Sequence, residues 1–156
     1  MTRARPSEVR AVLDEHPFFH GLDPVFLTRI EKGSHLCTFD RGEFIAREGA
    51  LARSFHAIIK GTVALEFAGP DGVAVKIQTV GAGEIVGWSA LTAPFRYTVD
   101  ARAIEPTHTL CIDSPVLGDA LREDPAAGYQ FMMRIFPVLS ERLHNTMVQV
   151  FELRVR

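Results

Sequence analysis

The sequence contains few of the side chains from which metal and redox centres are usually built. It has two cysteines, Cys37 and Cys111, and neither belongs to a Cys-x-x-Cys pair, so their spacing gives no support to a zinc or dithiol site. Both lie in apolar, strand-like runs, where cysteine is most simply a small buried residue. We therefore expect a protein from a reduced compartment, with no cofactor and no bound metal.

The residues of a catalytic centre are also missing. The six histidines include no His-x-His pair of the kind that binds a metal on a strand. His16 and His20 are four residues apart, but Pro17 between them disfavours a regular helix that would bring them together. The sequence has no recognisable Ser-His-Asp set and no phosphate-loop lysine motif. These absences predict that the protein is not an enzyme.

The chain has neither a long apolar run nor an excess of one charge. No stretch approaches the ~20 apolar residues that cross a bilayer, and the N-terminus lacks the apolar core of a signal peptide. We therefore expect a cytoplasmic protein with no membrane partner. The net charge of −2 gives no basic face for nucleic acid. The sequence ends at Arg156 with no room for a helix-turn-helix, so DNA is not an expected partner either.

Hydrophobic periodicity divides the chain into three parts. Residues 1–33 and 114–156 have helical spacing, whereas residues 34–113 alternate as strands do and are interrupted by glycine-rich turns. The clearest hairpin spans residues 63–77, with Gly-Pro-Asp-Gly between its two arms. Short strands with frequent turns predict a mainly β fold, an antiparallel barrel or sandwich with N-terminal helices and a long C-terminal helix.

The most informative segment runs from Gly83 to Thr98. Gly83 and Gly87 bracket Glu84, and glycine lets backbone N–H groups come close to a bound group. A short helical turn follows, and the first turn of a helix offers unpaired N–H donors to a phosphate. Arg96 can direct two N–H groups at phosphate oxygens, while Glu84 can accept a hydrogen bond from a ribose hydroxyl. The segment therefore predicts a pocket for a sugar phosphate.

Several short motifs occur in one order along the chain. They are Phe39-Asp40-Arg41-Gly42-Glu43-Phe44-Ile45 with Glu48-Gly49, Ile59-Lys60-Gly61-Thr62-Val63, Gly81-Ala82-Gly83-Glu84-Ile85 and Ala101-Arg102-Ala103. In this order they resemble the cyclic nucleotide-binding domain of bacterial catabolite activator proteins, protein kinase A regulatory subunits and gated channels. The resemblance implies an eight-stranded jelly roll, in which a phosphate-binding cassette at residues 81–98 holds a cyclic purine nucleotide such as cAMP or cGMP.

The resemblance also assigns site residues one by one. Glu84 and Gly83 match the cassette glutamate and the glycine before it. The position of the phosphate-binding arginine falls on Tyr97 and that of the following hydroxyl residue on Thr98, so Arg96 comes one residue early. The predicted ligand-binding set is Gly83, Glu84, Ile85, Val86, Gly87, Trp88, Arg96, Tyr97, Thr98, Arg142 and Thr146.

Two members of this set, Glu84 and Trp88, have an alternative interpretation. Glu84 can instead cap the cassette turn or pair with Arg96. Trp88 is larger than the family's usual residue and can fill the space of the purine or ribose. On the final helix, Arg142 and Thr146 match positions that face the nucleotide in the catabolite activators.

The C-terminal part carries an apolar stripe at helical spacing. It consists of Phe136, Leu139, Leu143, Met147 and Val150. The stripe can pack on the barrel of its own chain, but its length favours a two-helix seam in a homodimer. Pro137 is expected to kink this helix or to begin a separate final one.

Two functions remain open from the sequence. The first is a non-catalytic regulatory domain that binds cAMP or cGMP and relays occupancy through its C-terminal helices to a downstream protein partner. The second is a degenerate domain of the same fold that acts as a dimerising interaction module or senses another small, anionic ligand.

Overall fold

Two helices precede the strands in the computed structural model, which describes residues 6–156. Residues 1–5 of the predicted N-terminal segment lie outside this range. The helices are α1 (Pro6–Glu15) and α2 (Pro24–Glu31). Helix α2 begins where the Asp23 carboxylate accepts hydrogen bonds from two backbone N–H groups of the first turn. The proline that follows has a fixed φ that suits the first helical position.

Within residues 6–156, eight strands form two four-stranded sheets in which every pairing is antiparallel. They are β1 (Ser34–Phe39), β2 (Phe44–Ala46), β3 (Ser54–Lys60), β4 (Thr62–Ala68), β5 (Ala74–Gly81), β6 (Ile85–Val86), β7 (Asp100–Ala103) and β8 (Thr107–Asp113). The first sheet has the order β1-β8-β3-β6 and the second has the order β2-β7-β4-β5. The predicted fold class, an antiparallel jelly roll with flanking helices, is confirmed.

The predicted hairpin is formed by β4 and β5. Its arms pair from Thr62 opposite Gly81 to Ala68 opposite Ala74. At the tip, the N–H of Gly69 donates to the carbonyl of Val73 at 2.8 Å. This hairpin supplies one wall of the cavity described below.

Two helices follow the strands, α3 (Ser114–Glu123) and α4 (Pro125–Val155). The prediction that Pro137 could begin a separate helix is wrong, because α4 is one helix of 31 residues with this proline inside it. Pro137 is exposed, so water can bind the carbonyl that its ring leaves without an N–H donor. Among residues 6–156, no helix combines the length and the apolar character needed to span a membrane.

A cluster of phenylalanine rings holds the helices onto the barrel. Phe131 of α4 lies 5.2 Å from Phe18, 5.7 Å from Phe55 of β3 and 5.9 Å from Phe26 of α2, measured between ring centroids. Aromatic pairs at these distances add to the energy of apolar burial. The cluster fixes the first part of α4, and the rest of the helix continues past the second sheet.

Candidate functional site

A cavity of about 450 Å³ lies between the second sheet, the cassette and α4. This volume is in the range of small-molecule sites in proteins. Its lining residues are Ala46, Leu65, Phe67, Ile77, Gln78, Val86, Gly87, Trp88, Ser89, Tyr97, Thr98, Val99, Ala101, Leu139, Arg142, Leu143 and Thr146. Most of these side chains are apolar, so the cavity suits a ligand with a large apolar part.

The two cassette glycines turn the backbone tightly against β3. Gly83 and Gly87 have φ values of +87° and +90°, a region that side chains other than glycine rarely adopt. The N–H of Gly83 donates to the carbonyl of Ile58 at 2.9 Å. A Cβ on Gly87 would lie 2.9 Å from the carbonyl oxygen of Ser54. The positive φ therefore favours glycine at both positions, and the close approach to β3 also requires it at Gly87. The N–H of Gly83 is already bonded within the protein.

Glu84 caps the cassette turn. Its carboxylate accepts a hydrogen bond from the N–H of Gly81 at 2.7 Å, and its side chain is exposed. The residue does not line the main cavity. The geometry thus matches the capping alternative, and the role of Glu84 toward a ribose remains a prediction.

Arg96 and Tyr97 point in opposite directions, as neighbours in an extended segment do. Arg96 is exposed, and its guanidinium donates to the carbonyl of Gly49 at 2.8 Å, away from the cavity. Tyr97 is buried in the cavity wall, and its hydroxyl donates to the carbonyl of Ser54 at 2.9 Å. Burial raises the pKa of Tyr97, so the phenol stays neutral. The position that the resemblance gives to an arginine therefore carries no positive charge.

Arg142 supplies a cation from the opposite side, on α4. Among the described residues that line the cavity, it is the one with a charged side chain. Its Nη2 donates to the carbonyl of Ile85, whereas its Nε and Nη1 have no acceptor within residues 6–156. Burial lowers the pKa of Arg142, and the charges of Glu84 and Glu141 oppose this shift. An arginine that remains protonated here can bind an anionic or carbonyl group of a ligand.

The cavity brings together seven of the predicted site residues. These are Val86, Gly87, Trp88, Tyr97, Thr98, Arg142 and Thr146. Trp88 is half-buried and forms part of the wall, and the cavity remains open beside it. Gly83, Glu84 and Ile85 instead border a smaller cavity of about 120 Å³ that shares Arg142 with the main one. Arg96 borders neither.

Ten lining residues were not predicted. They are Ala46, Leu65, Phe67, Ile77, Gln78, Ser89, Val99, Ala101, Leu139 and Leu143. The spacing of two between Leu65 and Phe67 indicates that both side chains lie on one face of β4. It does not indicate that part of this face borders a void, because that depends on how closely α4 approaches the sheet.

Comparisons with known proteins agree with this architecture. Residues 36–124 match the family described as cyclic nucleotide-binding domain. No curated protein matches the chain. Among solved structures, a putative cyclic nucleotide-binding protein from Geobacter metallireducens has 27% identity and a TM-score of 0.74, over 90% of this chain and 99% of that one.

Two further structures have the same fold at lower identity. The sensor domain of the transcriptional regulator DNR from Pseudomonas aeruginosa has 19% identity and a TM-score of 0.72, over 89% of this chain and 93% of that one. The regulatory subunit of a cAMP-independent protein kinase A from Trypanosoma brucei, a triple mutant bound to cAMP, has 19% identity and a TM-score of 0.69. The match covers 95% of this chain and 53% of that subunit.

Proposed function

We propose that this chain, which belongs to the cyclic nucleotide-binding domain family, is a non-catalytic, cytoplasmic regulatory domain that senses a small ligand and signals through α4. The observation that carries the proposal is the cavity of about 450 Å³, part of whose wall is α4 itself. A ligand in this cavity would contact Leu139, Arg142 and Leu143 directly. Its binding energy can therefore favour one position of the helix over another.

The ligand that the cavity favours is mostly apolar and carries one anionic end. The walls formed by Leu65, Val86 and Leu139 stabilise apolar groups through burial. The free N–H groups of Arg142 suit a carboxylate or a similar anion. No second positively charged side chain lines the cavity within the described residues, so the cavity suits less well an anion that pairs with two cations.

A cyclic purine nucleotide, cAMP or cGMP, is the second candidate ligand. Family membership and the Gly83-Glu84 pair support it. Tyr97 weakens it, because each charge-assisted hydrogen bond to a phosphate is worth about 1.5–3 kcal/mol, or a ten- to hundredfold change in affinity. The similar Trypanosoma brucei subunit is cAMP-independent, and its cAMP-bound form carries three substitutions, one of which introduces an arginine.

A homodimer through α4 would give the signal a route to a downstream protein partner. Tyr129, Phe136, Leu143 and Val150 recur at every seventh position and are 67%, 68%, 62% and 48% exposed. An apolar residue at every seventh position is typical of a helix that packs along a second helix. Leu143 belongs both to this seven-residue repeat and to the cavity wall, so it would connect ligand binding to the dimer seam.

Trp88 provides a direct test, because it is the one tryptophan of the chain and it lines the cavity. We would titrate the protein with decanoate, an apolar chain with one carboxylate, and follow Trp88 fluorescence. We expect saturable binding, because the apolar chain is buried in the cavity and the carboxylate pairs with Arg142. The variant Ala101→Phe, which fills part of the cavity, should weaken this binding at least about tenfold.

The matched control is Ala126→Phe, since Ala126 is exposed on α4 and does not line the cavity. It should leave binding unchanged. If cAMP saturates the wild-type signal at micromolar concentration while decanoate does not, the second candidate replaces the first. The cavity does not bind this class of ligand if neither ligand changes Trp88 fluorescence, or if Ala101→Phe and Ala126→Phe have the same affinity for decanoate.

A further inference from the structure

A histidine and two cysteines that are separated along the sequence lie together on the first sheet. His35 is directly opposite Cys111 in the pairing of β1 with β8, and Cys37 lies two residues further along β1. Residues two apart on a strand point to the same side, so all three side chains share one face. One imidazole nitrogen of His35 and the two sulfur atoms all lie within 4.8 Å of one another.

This face is the one turned away from the phenylalanine cluster. By alternation, Leu110 and Ile112 of β8 point into the hydrophobic core, and Cys111 between them points to the other side. Cys111 is buried, whereas His35 and Cys37 are half-buried. The three ligand atoms are therefore held on rigid strands at a position that an ion can reach from solvent past His35 and Cys37.

The spacing and the atoms suit a metal ion better than a disulfide. Cys37 is opposite Thr109, so it stands diagonal to Cys111, where Cα atoms are about 7–8 Å apart, longer than a disulfide usually spans. Thiolate and imidazole ligands bind Zn²⁺ at about 2.3 Å and 2.0–2.1 Å, which requires only a small inward movement of the three side chains. Mg²⁺ and Ca²⁺ prefer oxygen ligands and do not suit this set.

We propose that His35, Cys37 and Cys111 form a binding site for Zn²⁺, with the fourth coordination position open to water. A two-cysteine, one-histidine set with an open position is an established arrangement for zinc. His56, which lies opposite Cys111 on β3, is not counted as a ligand, because its Nδ1 is 3.1 Å from the hydroxyl of Thr109. The site is independent of the proposed ligand-binding function, since none of the three residues lines the cavity.

The sequence alone did not predict this site. The expectation of no bound metal came from the absence of a Cys-x-x-Cys or His-x-His pair. The ligands instead come from a His-x-Cys on β1 and a single cysteine on β8 that pairs with β1. Only the register of β1 against β8 brings them together.

The test uses the full chain, kept reduced and stripped of metal with a chelator. We would titrate Zn²⁺ against a chromophoric chelator and, separately, record the absorption of the Co²⁺-loaded protein. We expect one Zn²⁺ per chain and a thiolate-to-cobalt charge-transfer band. Cys37→Ser should weaken Zn²⁺ binding at least about 100-fold and reduce that band, since even residues that only support a ligand cost 10–100-fold.

His108→Gln is the matched control, because this exposed residue lies on β8 but alternation places it on the other side of the strand. It should bind Zn²⁺ as the wild type does. A measurement on the wild type avoids any loss of folding: Zn²⁺ should protect Cys37 from alkylation by iodoacetamide. Any of three results would overturn the proposal. These are alkylation of Cys37 that Zn²⁺ does not slow, a Cys37–Cys111 disulfide in protein exposed to Zn²⁺ and air, and Zn²⁺ binding that Cys37→Ser leaves unchanged.

Discussion

The two halves of α4 differ in what they contact, although they belong to one continuous helix. In residues 125–135, Phe131 and Ile135 are buried against the barrel and α2. In residues 136–155, every side chain is exposed or half-buried, and Phe136 is 68% exposed. The first half fixes the helix in place, and the second half covers the cavity. The second half is held by polar contacts, from Arg142 to the carbonyl of Ile85 and from Gln149 to the carbonyl of Ile77, so it can change its position without loss of the core.

Close backbone packing reinforces the anchored half. Gly128 approaches α3 so closely that a Cβ would lie 2.8 Å from the carbonyl oxygen of Leu121. Pro137 comes just after this half and removes one backbone hydrogen bond from the ladder of α4. The boundary between the two halves is therefore also the point at which the helix is least restrained by its own hydrogen bonds.

The largest effect is expected from Phe131→Ala in the anchored half. Phe131 is fully buried among other rings, so its removal should lower the free energy of unfolding by about 3–5 kcal/mol. Phe136→Ala should change it by no more than about 0.5 kcal/mol, because that ring is exposed. Urea denaturation should be measured at a concentration where both variants sediment as monomers. Equal losses in the two variants would remove the distinction between the halves.

The second prediction concerns the exposed stripe. Val150→Glu should raise the dissociation constant of the homodimer at least about tenfold, because it would place two carboxylates opposite each other in an apolar seam. Gln130→Glu adds the same charge at an exposed position of α4 outside the stripe and should have little effect. Analytical ultracentrifugation measures both. A wild type that is monomeric at all concentrations would contradict the seam.

Arg142→Gln tests whether the guanidinium in the second half of α4 binds the anionic end of the ligand. Loss of the guanidinium should weaken decanoate binding by about 10- to 100-fold, since one charge-assisted contact is removed. Arg122→Gln, an exposed arginine of α3, is the control and should bind as the wild type does. Unchanged affinity in Arg142→Gln would show that Arg142 does not bind the anionic end.

The pH dependence of stability tests the contact between His16, just after α1, and the carbonyl of Ile58 on β3. The Nε2–H of His16 donates to the carbonyl of Ile58 at 2.8 Å, and its Nδ1 accepts from the N–H of Phe18 at 3.1 Å. Burial lowers the pKa of His16 below that of the unfolded chain, so the folded protein holds it neutral.

The direction of the change in the free energy of unfolding depends on which state, folded or unfolded, binds the proton. As the pH falls through the unfolded value of about 6.5, the unfolded chain binds a proton that the folded chain does not, and the free energy of unfolding decreases. His16→Gln should reduce this decrease between neutral and acidic pH in urea denaturation. The exposed His144→Gln should retain the wild-type decrease, and a His16→Gln profile identical to the wild type would contradict the assignment.

The smallest effect is expected at Arg96. Its guanidinium donates to Gly49 on the outside of the barrel, so Arg96→Ala should change stability by about 0.5 kcal/mol or less and leave decanoate affinity within about twofold. Titration of Trp88 fluorescence provides the comparison. A loss of affinity comparable to that of Arg142→Gln would mean that Arg96 reaches the cavity.

Local patterns in the sequence predicted the fold well and the site only in part. Alternation and turn chemistry are properties of neighbouring residues, so the β4–β5 hairpin could be predicted and is found. The direction of Arg96 depends on where the segment pairs with the loop around Gly49, which neighbouring residues do not determine. The continuity of α4 through Pro137 depends on solvent exposure, and the His35–Cys111 pairing depends on register. These features arise only when distant parts of the chain meet.

The central claim is that the cassette has no positively charged side chain at position 97 to bind a cyclic phosphate. Calorimetric titration of the wild type and of Tyr97→Arg with cAMP tests this claim most directly. Tyr97 lines the cavity, so an arginine there would place a guanidinium at the position that the resemblance assigns to the family's arginine. We expect no measurable cAMP binding by the wild type below about 1 mM, and an affinity at least about tenfold higher in the variant. Micromolar cAMP binding by the wild type would contradict the account.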